Sequence, residues 1–107
     1  MNARQAFGFL VTIEAIPGRQ DDVIEFLEKA RHLVDAERGT RTWYAFRSGP
    51  TTFGIFDTFD NADDREAHLH GEVRRALEEL GDDSIGAPPV ITPVDVLASK
   101  PREPLTP

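Results

Sequence analysis

The sequence contains no cysteine, which excludes disulfides, thiolate zinc sites and a cysteine nucleophile. No apolar run approaches the roughly 18 residues of a membrane-spanning helix, so we expect no membrane segment. Basic residues are few: 12 lysines and arginines face 19 acidic residues, and a net charge of -7 disfavours a nucleic-acid partner. The first residues lack the pattern of a signal peptide, so the sequence predicts a cytoplasmic protein.

What the sequence does contain is an alternation of strand and helix patterns. Stretches rich in β-branched and aromatic residues indicate strands, and apolar residues at spacings of three and four indicate helices. The predicted strands are Phe7–Ile16, Arg41–Ser48, Thr52–Phe59 and Val90–Ala98, one helix covers about Gln20–Glu37, and a second begins after Asp60 or Asn61 and runs to about Leu80.

The order β-α-β-β-α-β predicts an α+β fold of the ferredoxin-like type, with both helices on one face of a four-stranded antiparallel sheet. A length of 107 residues suits one domain, which we assign to residues 1–98. Pro93 lies inside the fourth strand and cannot donate a ladder hydrogen bond, so that strand is expected to lie at an edge of the sheet or to be bulged. The proline-containing residues 99–107 are predicted to form an extended tail.

Both faces of the predicted sheet carry large apolar side chains, although two helices cover only one of them. A soluble monomer does not tolerate an exposed apolar face of many hundred Å². We therefore predict a homodimer whose two sheets pack face to face in a barrel-like centre. The residues concerned are Phe9 and Val11 against Leu10, Trp43 and Ala45 against Tyr44 and Phe46, and Phe53 and Ile55 against Phe56.

Several segments resemble the antibiotic biosynthesis monooxygenase-like family. They are Thr42–Pro50, Thr52–Phe59, Ala67-His68-Leu69-His70-Gly71, Ala76-Leu77, Pro89-Val90 and Val94–Ala98, within about residues 6–98. The resemblance implies a dimeric α+β barrel. It also implies an activity found in some members, the oxidation of aromatic phenols to quinones without metal or flavin, so we expect an aromatic or apolar ligand and no cofactor. Because the family argues for fold more firmly than for function, the alternative is a non-catalytic small-molecule-binding dimer or accessory protein.

Haem degradation, another activity of the family, fits less well. Members with that activity share a residue pattern: an asparagine in strand one, a tryptophan in strand three and a histidine in helix two. Here Phe9–Thr12 contains no asparagine and Phe59 stands in the tryptophan position, so only the histidine remains. A cyclase or isomerase would need only a base and a shaped cavity, and the sequence does not exclude one.

His68 is the candidate catalytic residue, as the proton acceptor that turns a phenol into the electron-rich phenolate. This role rests partly on the resemblance to the family's helix-two histidine. On one continuous helix, His68 lies about 120° from the buried face and Glu72 one turn later on the same flank, so Glu72 is the expected partner. An exposed histidine on a polar flank is the plainer alternative. His70 lies on the opposite flank, so a metal site shared by the two histidines is not expected.

Aromatic residues of the two central strands are the candidate walls of a substrate pocket. Strand alternation places Tyr44 and Phe46 on one face and Trp43 on the other, and ordinary core packing is the competing explanation. Two charges, Arg47 and Asp57, interrupt the apolar strands. We expect them to pair with each other and lock the hairpin, and the alternative is that they bind polar groups of the substrate. The predicted substrate-binding residues are Trp43, Tyr44, Phe46, Phe53, His70 and Arg47.

Overall fold

The computed structural model describes residues 6–100, which form a four-stranded antiparallel sheet with its helices on one side. The elements are β1 (Ala6–Glu14), α1 (Gln20–Asp35), β2 (Thr40–Arg47), β3 (Thr52–Phe59), α2 (Ala62–Leu69), α3 (Glu72–Leu80) and β4 (Val90–Val96). Their order in the sheet is β2-β3-β1-β4, so the predicted ferredoxin-like fold is confirmed. The part of the predicted tail at residues 101–107 lies outside the described residues.

Side chains alternate between the two faces of the sheet along β1 and β3, and this alternation determines where the core lies. Odd-numbered residues of both strands point toward the helices, and Phe9, Ile13, Ile55 and Phe59 are all buried there. Val23 and Leu77 of α1 and α3 complete this layer, because their apolar stripes face the sheet. β4 pairs only with β1, so Pro93 lies in an edge strand as expected.

The second helical segment is broken, and the prediction of one continuous helix to Leu80 was wrong. α2 ends at Leu69, and Gly71, in extended conformation, precedes the first residue of α3. The break separates two packing directions: α2 contacts β1, β2 and β3, whereas α3 packs beside α1. A helix of eight residues is too short to show a clear apolar stripe, and α2 alone buries none of its residues fully.

Element boundaries elsewhere differ from the predictions by a few residues. α1 stops at Asp35, and Ala36 and Glu37 lie in the connection to β2.

None of the helices within residues 6–100 has the length and apolar character that crossing a membrane requires.

Candidate functional site

The largely buried side chain of His68 is the centre of the candidate site. It lies in the last turn of α2 and is directed at the sheet, with 10% of its surface exposed. Its ring packs on Phe59 at a centroid distance of 5.0 Å and lies 6.5 Å from the ring of Phe9. Because α2 is separate from α3, the flank position deduced for one long helix does not apply.

Both ring nitrogens of His68 contact carboxylates. Nδ1 lies 2.6 Å from Oε1 of Glu37, and Nε2 lies 3.2 Å from Oδ2 of Asp57. Ionised carboxylates only accept hydrogen bonds, so both nitrogens donate and the ring carries both protons. We call Glu37, Asp57 and His68 the carboxylate–histidine cluster.

The electrostatics of the cluster agree with a protonated imidazole. Burial lowers the pKa of His68, but hydrogen bonds to Asp57 and Glu37 and the charges of both outweigh it and raise the pKa to about 9. Burial raises the pKa of Glu37, yet hydrogen bonds from His68 and Thr40 lower it below its ordinary 4.5 overall. His68 is therefore a cation at neutral pH.

Two buried polar atoms of the neighbouring strands lack a hydrogen-bond partner among residues 6–100. They are Oδ1 of Asp57 and Nε1 of Trp43. The two residues are directly opposite each other in the pairing of β2 with β3. A buried polar group without a partner costs about 1–3 kcal/mol, so such atoms often mark a place where a ligand or water binds.

The cluster lies between a surface groove and a small internal cavity. A groove of about 880 Å³ lies between α1 and β2, and Glu37 and Trp43 are in its wall. A cavity of about 30 Å³, the inner cavity, lies beneath α2 and α3, bordered by Asp57 and His68 among apolar side chains. The inner cavity has room for about one water molecule, whereas the groove is in the size range of small-molecule sites. The remaining residues around the inner cavity are Phe9, Val11, Ile55, Leu69, Val73, Arg74, Leu77 and Ile91.

The predicted aromatic residues do not line one common pocket. Trp43 and Tyr44 both border the groove, but Phe53 is 2% exposed and belongs to the core. Phe46 lies on the opposite face of the sheet, beyond the reach of the cluster. Of these aromatic residues, Trp43 alone approaches Asp57 from the same face of the sheet.

The predicted polar residues are also dispersed. Arg47 donates to the carbonyls of Gly49 and Pro50, at 3.2 and 2.7 Å, and its guanidinium lies 5.2 Å from the ring centre of Phe53. It therefore fastens the β2–β3 turn, and its expected pairing with Asp57 was wrong.

His70, the second predicted histidine, is exposed and lies away from the cluster. Its Nε2 is 3.1 Å from Oε2 of Glu66. Glu72, the expected partner of His68, accepts instead from Arg75 at 2.8 Å. Within residues 6–100 no group of histidine and acidic side chains has an arrangement suited to a metal ion.

Sequence reasoning missed the role of Glu37 entirely. Glu37 follows the end of α1 and shows no pattern that would set it apart from the other surface acids. Asp57 did give a signal, as a charge at a core-facing position of a strand. Its actual partner could not be identified because it lies on another element.

The cluster offers a hydrogen-bond or proton acceptor on Asp57, whereas His68 is not set up to accept a proton. His68 holds one oxygen of Asp57 and offsets its charge, while the second oxygen remains free to accept a hydrogen bond or proton from a ligand. A proton-accepting role for His68 itself would first require the loss of a ring proton, which a pKa of about 9 makes unfavourable at neutral pH.

Comparison with solved structures finds a relative of substantial sequence identity. A protein of unknown function from Nitrosomonas europaea is 36% identical, with a TM-score of 0.89, and the match covers 96% of this chain and 100% of that one. The chain belongs to the same family as this Nitrosomonas protein. No family model matches the chain, and neither does any curated protein.

More distant neighbours connect this family to a named fold. A second Nitrosomonas europaea protein, provisionally named an antibiotic biosynthesis monooxygenase, has a TM-score of 0.77 at 14% identity over 91% of this chain and 94% of its own. A Caulobacter crescentus protein with the same provisional name has a TM-score of 0.75 at 15% identity, over 90% and 93%. The antibiotic biosynthesis monooxygenase-like fold predicted from the sequence is thereby confirmed.

Proposed function

We propose that this protein is a cofactor-independent, monooxygenase-like enzyme that acts on an aromatic or quinone-type small molecule. The observation that carries the proposal is the free Oδ1 of Asp57, a buried carboxylate atom of a residue that borders a cavity lined mainly by apolar side chains. Support also comes from neighbours of the same fold that bear the monooxygenase name. Fold alone does not assign chemistry, so the proposed activity depends on the residues of the site.

The chemistry begins with loss of a proton from the substrate. Asp57 does not line the groove, so a phenol or anthrone would have to enter from the groove past Trp43 to present its acidic group to Asp57, whose Oδ1 accepts the proton as the electron-rich anion forms. The His68 imidazolium would stabilise the negative charge that develops nearby. The anion then reduces dioxygen: an anthrone loses the two hydrogens of its ring CH₂, and a phenol loses one ring C–H and its O–H hydrogen. One oxygen atom becomes the new C=O, and the other leaves as water with the two hydrogens. The substrate supplies all the electrons.

The proposal includes a homodimer, because the face of the sheet away from the helices is apolar. Leu10, Tyr44 and Phe46 are 40%, 61% and 41% exposed on this outer face. Phe56, directly opposite Leu10 and Tyr44 in the sheet, adds to the same patch. A second copy packed on this face would remove the patch from water, in the arrangement predicted from the sequence.

Oxygen consumption tests the proposed activity. The protein would be incubated with a panel of hydroquinones and anthrones while dissolved oxygen is followed. Asp57→Asn keeps the shape of the side chain and removes its basicity, so we expect it to reduce the rate by about 100-fold. Asp83→Asn, at an exposed loop position, is the matched control and should retain the wild-type rate. Oxygen uptake no faster than in protein-free buffer for every compound would refute the enzymatic proposal.

A second function, the binding of a small molecule without turnover, is favoured by the protonation of His68. A doubly hydrogen-bonded imidazolium is a good electrostatic anchor but not a base. Native mass spectrometry of the protein purified after expression separates the two functions. An unchanged molecule retained at one copy per subunit, together with no oxygen uptake, would identify a binding protein.

A further inference from the structure

The two unsatisfied atoms of the site are complementary. Nε1 of Trp43 can only donate a hydrogen bond, and Oδ1 of Asp57 accepts one. The residues face each other across β2 and β3, and the Cβ atoms of such pairs are about 4.5–5.5 Å apart. Both side chains lie on the helix-facing side of the sheet, Asp57 at 1% exposure and Trp43 packed against the core.

We propose that Trp43 and Asp57 together bind one hydroxyl group of the ligand. The indole N–H would donate to the hydroxyl oxygen, and the hydroxyl hydrogen would be donated to Oδ1 of Asp57. This inference rests on the proposed function, since it names the group by which the substrate of that site is recognised.

A hydroxyl satisfies both atoms, and the common alternatives do not. An ether or carbonyl oxygen accepts from the indole but leaves Oδ1 facing lone pairs. An ammonium group suits Asp57 but has no acceptor for the indole N–H. A carboxylate would be repelled by Asp57. The site therefore selects ligands that donate and accept at one atom, which is the property of a phenol.

The surrounding contacts hold this pair in place. Asp57 cannot turn Oδ1 toward His68, because its other oxygen is already engaged there at 3.2 Å. His68 is in turn fixed by Glu37 at 2.6 Å. Trp43 borders the groove from the side of α1 and β2, but its Nε1 is buried and Asp57 does not line the groove, so a ligand in the groove reaches the pair only when the indole ring shifts. The reorganisation that binding requires is then confined to one side chain, because Asp57 is held by His68.

The single tryptophan makes the inference directly measurable. Trp43 is the only tryptophan in the sequence, so ¹⁵N-labelled protein gives one indole N–H resonance that reports on this atom. We would titrate the protein with phenol and, separately, with anisole, which has the same ring with the hydroxyl methylated. We expect phenol to shift the indole resonance and to bind at least about tenfold more tightly than anisole, since anisole leaves Oδ1 unsatisfied.

Two variants test the roles of the individual atoms. Trp43→Phe keeps an aromatic ring and removes the N–H, and Asp57→Asn removes the charge of the acceptor. Each should reduce the preference for phenol over anisole to about threefold or less, measured by ligand-observed NMR. A merely structural role would weaken both ligands equally and leave the preference intact. If Asp57→Asn does not fold, Trp43→Phe and the wild-type comparison still decide the question.

The outcomes separate this inference from the proposed function. An indole resonance that phenol does not move, or equal binding of phenol and anisole, would overturn the hydroxyl site, and a buried water would then be the natural partner of the two atoms. Oxygen uptake in that situation would leave the enzymatic proposal standing. Conversely, a clear preference for phenol without any oxygen uptake would support the hydroxyl site and refute only the enzyme.

Discussion

Glu37 and His68 are 31 residues apart in the sequence, yet Nδ1 of His68 lies 2.6 Å from Oε1 of Glu37. Glu37 belongs to the connection between α1 and β2, and His68 to the last turn of α2. The contact therefore ties a short helix, which has little apolar surface of its own, to the rest of the domain. Asp57 on β3 adds a third attachment through the other ring nitrogen.

The stability of the protein should decrease as the pH rises through the alkaline range. The pKa of His68 is raised from 6.5 to about 9 in the folded state, so the folded protein binds this proton more tightly than the unfolded chain. The stabilisation is complete below pH 6.5 and disappears as the pH passes about 9, a difference of about 3 kcal/mol. Urea denaturation at several pH values measures it.

His68→Gln is the control for this pH dependence. Glutamine retains hydrogen-bonding capacity but does not titrate, so the free energy of unfolding of this variant should lack the decrease between pH 6.5 and 9. A variant that shows the same decrease as the wild type would mean that other groups cause it.

Asp57→Ala should destabilise the protein strongly at pH 7. Removal of one partner of a buried charge leaves the His68 imidazolium with a single carboxylate in an apolar setting. We expect a loss of about 2–4 kcal/mol in the free energy of unfolding, because an uncompensated buried charge is costly. The same change at the exposed Asp83 should cost less than about 0.5 kcal/mol. Equal effects at the two positions would show that the cluster contributes nothing to stability.

The fold could be predicted because its signals are local. The strand pattern of Thr52–Phe59 agrees with β3 at both ends, since Gly49-Pro50 and Asp60 limit it on either side. The buried residues of α1 recur at spacings of three and four, the pattern that indicates a helix, and they are Val23, Phe26, Leu27 and Ala30. Alternation and helical periodicity act through a few neighbouring residues, so one sequence is sufficient to find them.

The site could be predicted only in part because its contacts are not local. His68 was identified through the resemblance to a family, but its partners depend on the break at His70 and Gly71. That break directs His68 at β3 instead of along a helix flank toward Glu72. A charge inside a strand indicates that a partner exists, yet the choice between Arg47 and His68 for Asp57 is settled only by tertiary packing.

The outer face of the sheet should drive self-association. In analytical ultracentrifugation at micromolar concentration, we expect the wild type to sediment at twice the subunit mass of 11.9 kDa. Leu10→Arg places a charge at the centre of this face, opposite Phe56, and should shift the protein to the monomer. Asp83→Arg introduces the same side chain in an exposed loop and should leave the dimer intact. A wild type that sediments as a monomer would contradict the proposed assembly.

Phe46 and Gly54 should show strong energetic coupling. They are opposite each other in β2 and β3, and the ring of Phe46 lies on the glycine so closely that an added Cβ would be 2.3 Å from Cζ. Gly54→Ala must therefore push the ring off the sheet, which we expect to cost about 1–3 kcal/mol. In a Phe46→Ala background the ring is absent, and the same glycine substitution should cost little or nothing. A double-mutant cycle by urea denaturation gives the coupling directly, and a value near zero would mean that the ring moves aside freely.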